Sequence, residues 1–513
     1  MENTLLNSLI EDNNYKLTEN GGVALKSTLN AIYDLFALGG AYRNRSEDDC
    51  IYLFKKAFEA DKTLAMKCLF YLRDIRGGQG ERRFFRICYE WLSREYPEIA
   101  FRNIDNVPEY GRWDDLYATV GTFIEADAFD FMEAQLHKDI ASLNRGENEG
   151  VSLLAKWLKS ENTSSDESKK LANITRKWFK LSHKSYRKIL SNLRKRINIV
   201  ERLMSQNRWE EIEFDKIPSK AGLIYRNAFA HHDIIGEKYA QFMTSKDTKV
   251  NAGALYPYDI VNKVTNHINY WGGGLNIDEI ERAAINKYWE NQIDYFNGAN
   301  SKMLCVVDTS GSMHGQPINI AISLGMYCAE RLQGTFHGYY ISFASRPQLI
   351  KVDGVDFCDK VERIYRTNLC DNTNLTAVFD LLYDKVVSGQ AKAEDLPEKI
   401  VVISDMEIDY GSYWRYDNSM DTEMGKMRKK WAAAGLKMPQ LVYWNVDARQ
   451  DTILEDSKTE GVTFVSGSSP IIFKSVLTGK TSIDLMLDIL NSERYSKVES
   501  DAEGQYQSMY IHK

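Results

Sequence analysis

The chain has 513 residues, of which 43% are hydrophobic and 27% charged, and its formal net charge is −7. This length exceeds one compact core, so two or more domains are expected, and the ordinary composition excludes a collagen-like, disordered or channel-forming chain. Seven cysteines with no CxxC pair argue against a disulfide framework or a zinc ribbon and suit buried thiols in a reducing compartment.

The N-terminal stretch MENTLLNSLIEDNNYK lacks the basic start and apolar run of a signal peptide. No apolar run reaches the length of a transmembrane helix. The expected location is therefore cytoplasmic, or at least intracellular, with no membrane contact.

Residues 1–298 read as helical. Proline is sparse there (Pro97, Pro108, Pro218 and Pro257), and apolar residues recur at helical spacing. Over 24–38 the stripe is Leu25, Leu29, Ile32, Tyr33, Leu35 and Phe36. Two further helices, Leu64–Leu72 and Phe84–Leu92, flank the loop Arg73-Asp74-Ile75-Arg76-Gly77-Gly78-Gln79-Gly80-Glu81-Arg82-Arg83. Its glycines expose backbone N–H groups among four arginines. It reads either as a phosphate-holding loop or as a tight interhelical turn with solvated arginines, and it lacks the Gly-Lys-Ser/Thr ending of a P-loop. The segment Val107 to Leu116 (VPEYGRWDDL) is a second turn leading into a helix, and Asn162 to Ser168 is a polar linker.

The charge changes sign along this half. Residues 1–164 carry a net charge of −7 and residues 165–230 a net charge of +9. A helix predicted over 186–204 has its stripe at Tyr186, Ile189, Leu190, Leu193, Ile197, Val200 and Met204. Arg187, Lys188, Arg194, Lys195 and Arg196 lie off or beside that stripe. One face packs while the other meets solvent or phosphate, so the basic segment is either a solvated helix face or a polyanion site. Many helices with short polar breaks suggest a helical-hairpin stack, in which neighbours bury the core between them.

Beyond about residue 300 the pattern alternates. β-Branched runs at Met303–Val307, Tyr339–Phe343, Ile400–Ile403, Leu441–Val446 and Val462–Val465 are separated by helical stretches at Pro317–Leu332, Leu375–Val387, Asp421–Ala434 and Ser482–Leu490. Such alternation predicts a mostly parallel, Rossmann-like α/β sheet over residues 299–513. Directly after its first strand stands Asp308-Thr309-Ser310-Gly311-Ser312. Asn372-Thr373-Asn374 and Ser404-Asp405-Met406-Glu407 follow on later loops. Three loops thus bring hard oxygen donors, suited to Mg²⁺, to the carboxyl edge of one sheet.

This arrangement resembles a von Willebrand factor A domain with its metal-ion-dependent adhesion site. The resemblance implies Mg²⁺, or another divalent cation, at Asp308, Ser310, Ser312, Thr373 and Asp405. It implies direct ligation by the two serines and contact through water by the two aspartates. Thr373 is taken over Thr376 from its position three residues into its loop. In such domains the open metal position accepts a carboxylate from a protein partner.

The helical half resembles TROVE-like proteins through Phe70–Gly78 (FYLRDIRGG), Val107–Leu116, Tyr186-Arg187-Lys188, Leu193–Arg196 and Gly253–Val261 (GALYPYDIV). The similarity is closest to relatives of uncharacterised function in plants, fungi and viruses, and more distant to the Ro ribonucleoprotein autoantigen. It implies a HEAT-like solenoid or ring that binds structured small RNA or the single-stranded ends of defective RNA without catalysis. From local charge the candidate RNA contacts are Arg187, Lys188, Arg194 and Lys195, together with Arg73 and Arg76 of the glycine loop. No catalytic set stands out: His231-His232 lacks an HExxH context, no GxSxG elbow occurs, and the cluster Asp405, Glu407 and Asp409 suits metal ligation better than hydrolysis. The alternative function is a metal-dependent protein-interaction scaffold acting through the A domain.

Overall fold

A computed structural model of the chain describes residues 13–146, 150–197, 200–269, 274–343, 346–367, 374–408, 423–455, 459–480 and 482–500. A small antiparallel hairpin comes first, β1 (Tyr15–Leu17) and β2 (Val23–Leu25), where the periodicity predicted only helix. The helix predicted over 24–38 is correspondingly shorter. Helix α1 spans Ala31–Leu38, and Asn30 caps it by accepting the Tyr33 N–H at 3.0 Å. Leu29 breaks the run with a positive φ of 61°, and Leu25 exchanges backbone hydrogen bonds of 2.7 and 3.0 Å with Ile453. Long-range strand pairing has overridden a helical apolar pattern.

Helices α2 (Glu47–Ala60), α3 (Lys62–Arg73) and α4 (Arg82–Glu95) follow. Ser46 and Asp61 cap the first two. Successive helices pack on one another, and Phe54, Phe58, Trp91 and Tyr96 form an aromatic cluster between them. Next come α5 (Glu125–Arg145), α6 (Asp166–Trp178) and α7 (His183–Arg196). Ser182 caps α7 at Ser185 N–H, and Tyr186, Leu190 and Leu193 form its buried stripe. The helix predicted over 186–204 ends at Arg196, and a separate turn of helix covers Val200–Ser205. Helices α8 (Ser219–Ala230), α9 (Gly236–Thr244) and α10 (Pro257–Thr265) each pack on α11 (Glu279–Glu290).

The C-terminal part holds a six-stranded, mostly parallel sheet. Its strands are β3 (Met303–Asp308), β4 (Tyr339–Phe343), β5 (Gln348–Lys351), β6 (Lys399–Ser404), β7 (Gln440–Asn445) and β8 (Val462–Ser466), in the spatial order β5-β4-β3-β6-β7-β8. Only β5 runs antiparallel, at the edge beside β4, and its four residues carried no sequence signal. Every residue of β3 is buried, as expected of a parallel strand covered on both faces. Each of its buried valines contributes about 1.5–3 kcal/mol. Helices α12 (Gln316–Arg331), α13 (Phe357–Thr367), α14 (Leu375–Val387), α15 (Glu423–Ala433) and α16 (Ser482–Leu490) cross between or follow the strands. From β3 the chain turns to β4 on one side and later to β6 on the other. The strand order therefore reverses beside β3, where parallel sheets open a crevice at their carboxyl ends.

One apolar core runs through both parts. Phe464 N–H donates to the Tyr33 hydroxyl at 2.8 Å, and Ser466 Oγ accepts the Gly40 N–H at 3.0 Å. A Cβ on Gly40 would lie 2.8 Å from the Ser466 carbonyl oxygen, so only glycine permits this approach. The last described segment returns to the first helices. Arg494 and Tyr495 bond the buried Asp74, and Asn103 and Asn106 donate to the carbonyls of Glu499 and Lys497.

Candidate cation site and basic cleft

The end of β3 and the loop after β6 place Asp308 and Asp405 side by side, both wholly buried. Asp308 Oδ1 accepts the Ser310 N–H at 2.9 Å, and Oδ2 accepts the Ser404 hydroxyl at 2.6 Å. The Ser310 and Ser312 hydroxyls lie 3.0 Å apart. Burial, and then the charge of Asp405, push the Asp308 carboxyl up to about 7. Asp405 Oδ1 accepts the Glu407 N–H at 3.1 Å, and Oδ2 takes an Nη2–H of Arg449 at 2.8 Å. Among the described residues no group of three or more His, Cys, Asp and Glu side chains converges as a metal cluster. The set here is instead two carboxylates and two hydroxyls.

These donors fit a hard divalent cation. Each carboxylate oxygen has one donor and keeps lone-pair capacity, the hydroxyls are oxygen ligands of the kind hard cations take, and Arg449 offers its positive charge to Asp405 alone of the two carboxylates. Thr373 and Asp409 lie outside the described residues. Thr376 is 4% exposed, and its hydroxyl donates to Asn374 Oδ1 at 2.8 Å. Glu407 is separated from Asp405 in role: Oε2 accepts the Glu19 N–H at 2.7 Å and Oε1 accepts the Thr452 hydroxyl at 2.5 Å. The histidine pair is likewise divided, with His232 stacked on Trp209 at 4.0 Å and His231 bonded to the Asn227 carbonyl.

The basic segment borders an open cleft of about 930 Å³ between the 154–163 stretch, α7 and the 200–205 turn. Arg82, Lys156, Arg187 and Arg202 line it, and none pairs with a carboxylate among the described residues. Two of its three acids are already neutralised: Asp114 by Arg86 and Lys159, and Glu161 by Arg176 and His183. Trp157 also lines the cleft, with the Arg112 guanidinium 4.5 Å from its ring centre. Burial, then the charges of Arg73 and Arg82, hold Arg112 below its ordinary value, against the opposing pull of Asp114 and Asp115.

The six candidate RNA contacts divide. Arg187, Lys188, Lys195 and Arg76 are exposed, and Arg187 lines the cleft. Arg76 donates to the Glu109 carbonyl at 2.5 Å. Arg73 is a correction: it is 1% exposed, with Nε and Nη2 at 2.8 and 2.7 Å from Asp115, so no phosphate reaches it. Arg194 also borders the cleft, and its guanidinium donates to the Ala155 and Leu158 carbonyls and the Ser160 hydroxyl, at 2.7, 2.8 and 2.8 Å. It fixes the cleft wall. The glycine loop is an interhelical turn whose Asp74 anchors Arg494. Arg82 belongs to the glycine loop, whereas Lys156, Trp157, Arg202 and Arg449 lie in no motif that the sequence signals.

Two family models match the chain. One, a domain of unknown function (DUF7788), covers residues 302–511, and a second, also a domain of unknown function (DUF2828), covers residues 18–126 and 114–301. "Uncharacterized protein L728" of Acanthamoeba polyphaga mimivirus is 27% identical over 515 residues, a match spanning 93% of this chain and 87% of that protein. The two DUF2828 segments together take in more than half of the 513 residues, and the chain belongs to the DUF2828 family.

Proposed function

We propose that the chain is a non-catalytic RNA-binding protein of the Ro-like, TROVE-related kind, whose helical part is a curved HEAT-like stack presenting the basic cleft to RNA. The observation that carries this reading is the cleft itself, which is lined by Trp157 and by four cations that have no carboxylate partner among the described residues. Unpaired cations neutralise phosphates and release counterions, and an aromatic ring offers a base a stacking surface. Single-stranded RNA fits this geometry better than a duplex, because its unstacked bases can reach Trp157. The test is fluorescence anisotropy with a labelled single-stranded RNA across a salt series. Charge reversal at Arg82, Arg187 and Arg202 together should weaken binding at least about tenfold and flatten the log K against log salt slope by about 2. Unchanged affinity and slope would remove the cleft as the binding site.

A second activity is favoured by the paired buried carboxylates. The sheet-containing part would be a von Willebrand factor A domain that holds Mg²⁺ through Ser310 and Ser312, with Asp308 and Asp405 acting through water. The bound cation would supply an open coordination position for a partner's carboxylate. Partner capture should then be lost on chelation and in Asp308→Ala, and a pull-down indifferent to both would exclude it.

A further inference from the structure

The hairpin tip between β1 and β2 sits on the loops that carry the cation site. The Thr18 hydroxyl donates to the Ile408 carbonyl at 2.7 Å, and Asn20 Nδ2 donates to the Glu407 carbonyl at 2.7 Å. Glu19 N–H holds Glu407 Oε2 at 2.7 Å. The Glu19 side chain turns to Arg449, with Oε2 2.8 Å from Nη1. The other terminal nitrogen of Arg449 lies 2.8 Å from Asp405. One guanidinium therefore bridges a half-exposed carboxylate on the N-terminal hairpin and a wholly buried carboxylate of the cation site. Among the described residues its Nε is buried without a hydrogen-bond partner, and the two terminal nitrogens make its ion pairs.

We propose that Arg449 is a resident counter-cation that sets the affinity of the Asp308–Asp405 site and couples its loading to the N-terminal hairpin. This rests on the reading of that site as a divalent-cation site. Without the metal, Arg449 offsets part of the charge of Asp405. An arriving divalent ion takes over that role and repels the guanidinium, which shifts onto Glu19. Glu19 is the acceptor that makes the transfer cheap, and by linkage the hairpin is held more firmly when the site is loaded. The backbone around Arg449 is fixed independently, since Ala448 N–H donates to the Ala41 carbonyl at 3.1 Å and Arg45 Nη1 to the Arg449 carbonyl at 2.7 Å. The side chain moves while its loop stays.

The test is calorimetric titration of MgCl₂ into the metal-stripped full chain, alongside hydrogen exchange of the 13–26 peptide with and without Mg²⁺. Arg449→Gln removes the competing charge and should tighten Mg²⁺ on the order of tenfold. Glu19→Gln removes the acceptor and should weaken it by about threefold or more. In the double variant the effect of Glu19→Gln should shrink to less than about twofold, because it acts through Arg449. Mg²⁺ should slow exchange of the hairpin in the wild type and not in Glu19→Gln. The wild-type exchange arm remains decisive if a variant fails to fold. Mg²⁺ binding that both substitutions leave within about twofold, with hairpin exchange unaltered, would overturn the proposal and leave the cation site standing. Absence of Mg²⁺ binding by the wild type and by Arg449→Gln alike would remove the cation site, and this coupling with it.

Discussion

Arg73→Met replaces a buried guanidinium with an apolar chain of similar reach. Asp115 is 0% exposed and now accepts from Arg73 Nε and Nη2, from Arg86 Nε at 2.7 Å and from the Arg112 N–H at 2.9 Å. Removing one partner of a buried pair costs about 3–5 kcal/mol, because the remaining charge stays desolvated. Here Arg86 and the backbone N–H remain, so the lower end applies, about 3 kcal/mol. With an unfolding entropy of about 2.1 cal/mol/K per residue, a chain of this size melting as one unit would lose about 3 °C. Circular dichroism melts measure this, and RNA anisotropy on the same samples separates stability from binding. The account expects a lower midpoint and unchanged RNA affinity below the melt. An unchanged midpoint with weakened RNA binding would show that Arg73 contacts phosphate and contradict its role as the buried partner of Asp115.

Gly40→Ala should destabilise the chain by about 1–3 kcal/mol, since its Cβ meets the Ser466 carbonyl at 2.8 Å; a urea titration reads it, and an unshifted transition would contradict the close approach. Asp356 gives a pH signature. Burial alone would raise it, but hydrogen bonds from Arg282 at 2.6 and 2.8 Å and from Asn286 at 2.8 Å hold it below the ordinary carboxylate value. Its stabilisation is therefore complete above about pH 4 and lost as pH falls through the lowered native value. Arg282→Gln should reduce that part of the acid dependence of the melting midpoint, the Asn286 and Asp359 N–H bonds remaining, and equal acid slopes in both proteins would refute the pairing. Arg194→Ala should lower stability, because it strips hydrogen bonds from the Ala155 and Leu158 carbonyls; a wild-type melt with weaker RNA binding would make Arg194 an RNA contact and not a wall support.

Contiguous chemistry was legible in the sequence. Asp308, Ser310 and Ser312 share one loop at the end of a buried β-branched run, and Asp405 directly follows another such run. Strand periodicity and oxygen donors therefore pointed to the same edge. Partners supplied from far along the chain were not legible. Arg449 reaches Asp405 from the loop after β7, and Glu19 comes from a hairpin whose three-residue strands are too short for a period to register. Local charge also misled. Arg73 lies among glycines and arginines, as a phosphate loop would require, but Asp115 on a later turn draws it inward. Arg194 occupies the same basic run as Arg187, yet it faces three oxygen acceptors of the 155–160 stretch, a difference set by helix rotation against a neighbour that no residue pattern records.

The central claim, that RNA enters the cleft beside α7, is tested most directly by photocrosslinking a 4-thiouridine single-stranded RNA to the full chain and mapping adducts by mass spectrometry. The account predicts adducts concentrated on the peptides carrying Trp157, Arg187 and Arg202, competed by unlabelled RNA and weakened by salt. Adducts confined to other faces, or absent at low salt, would contradict it.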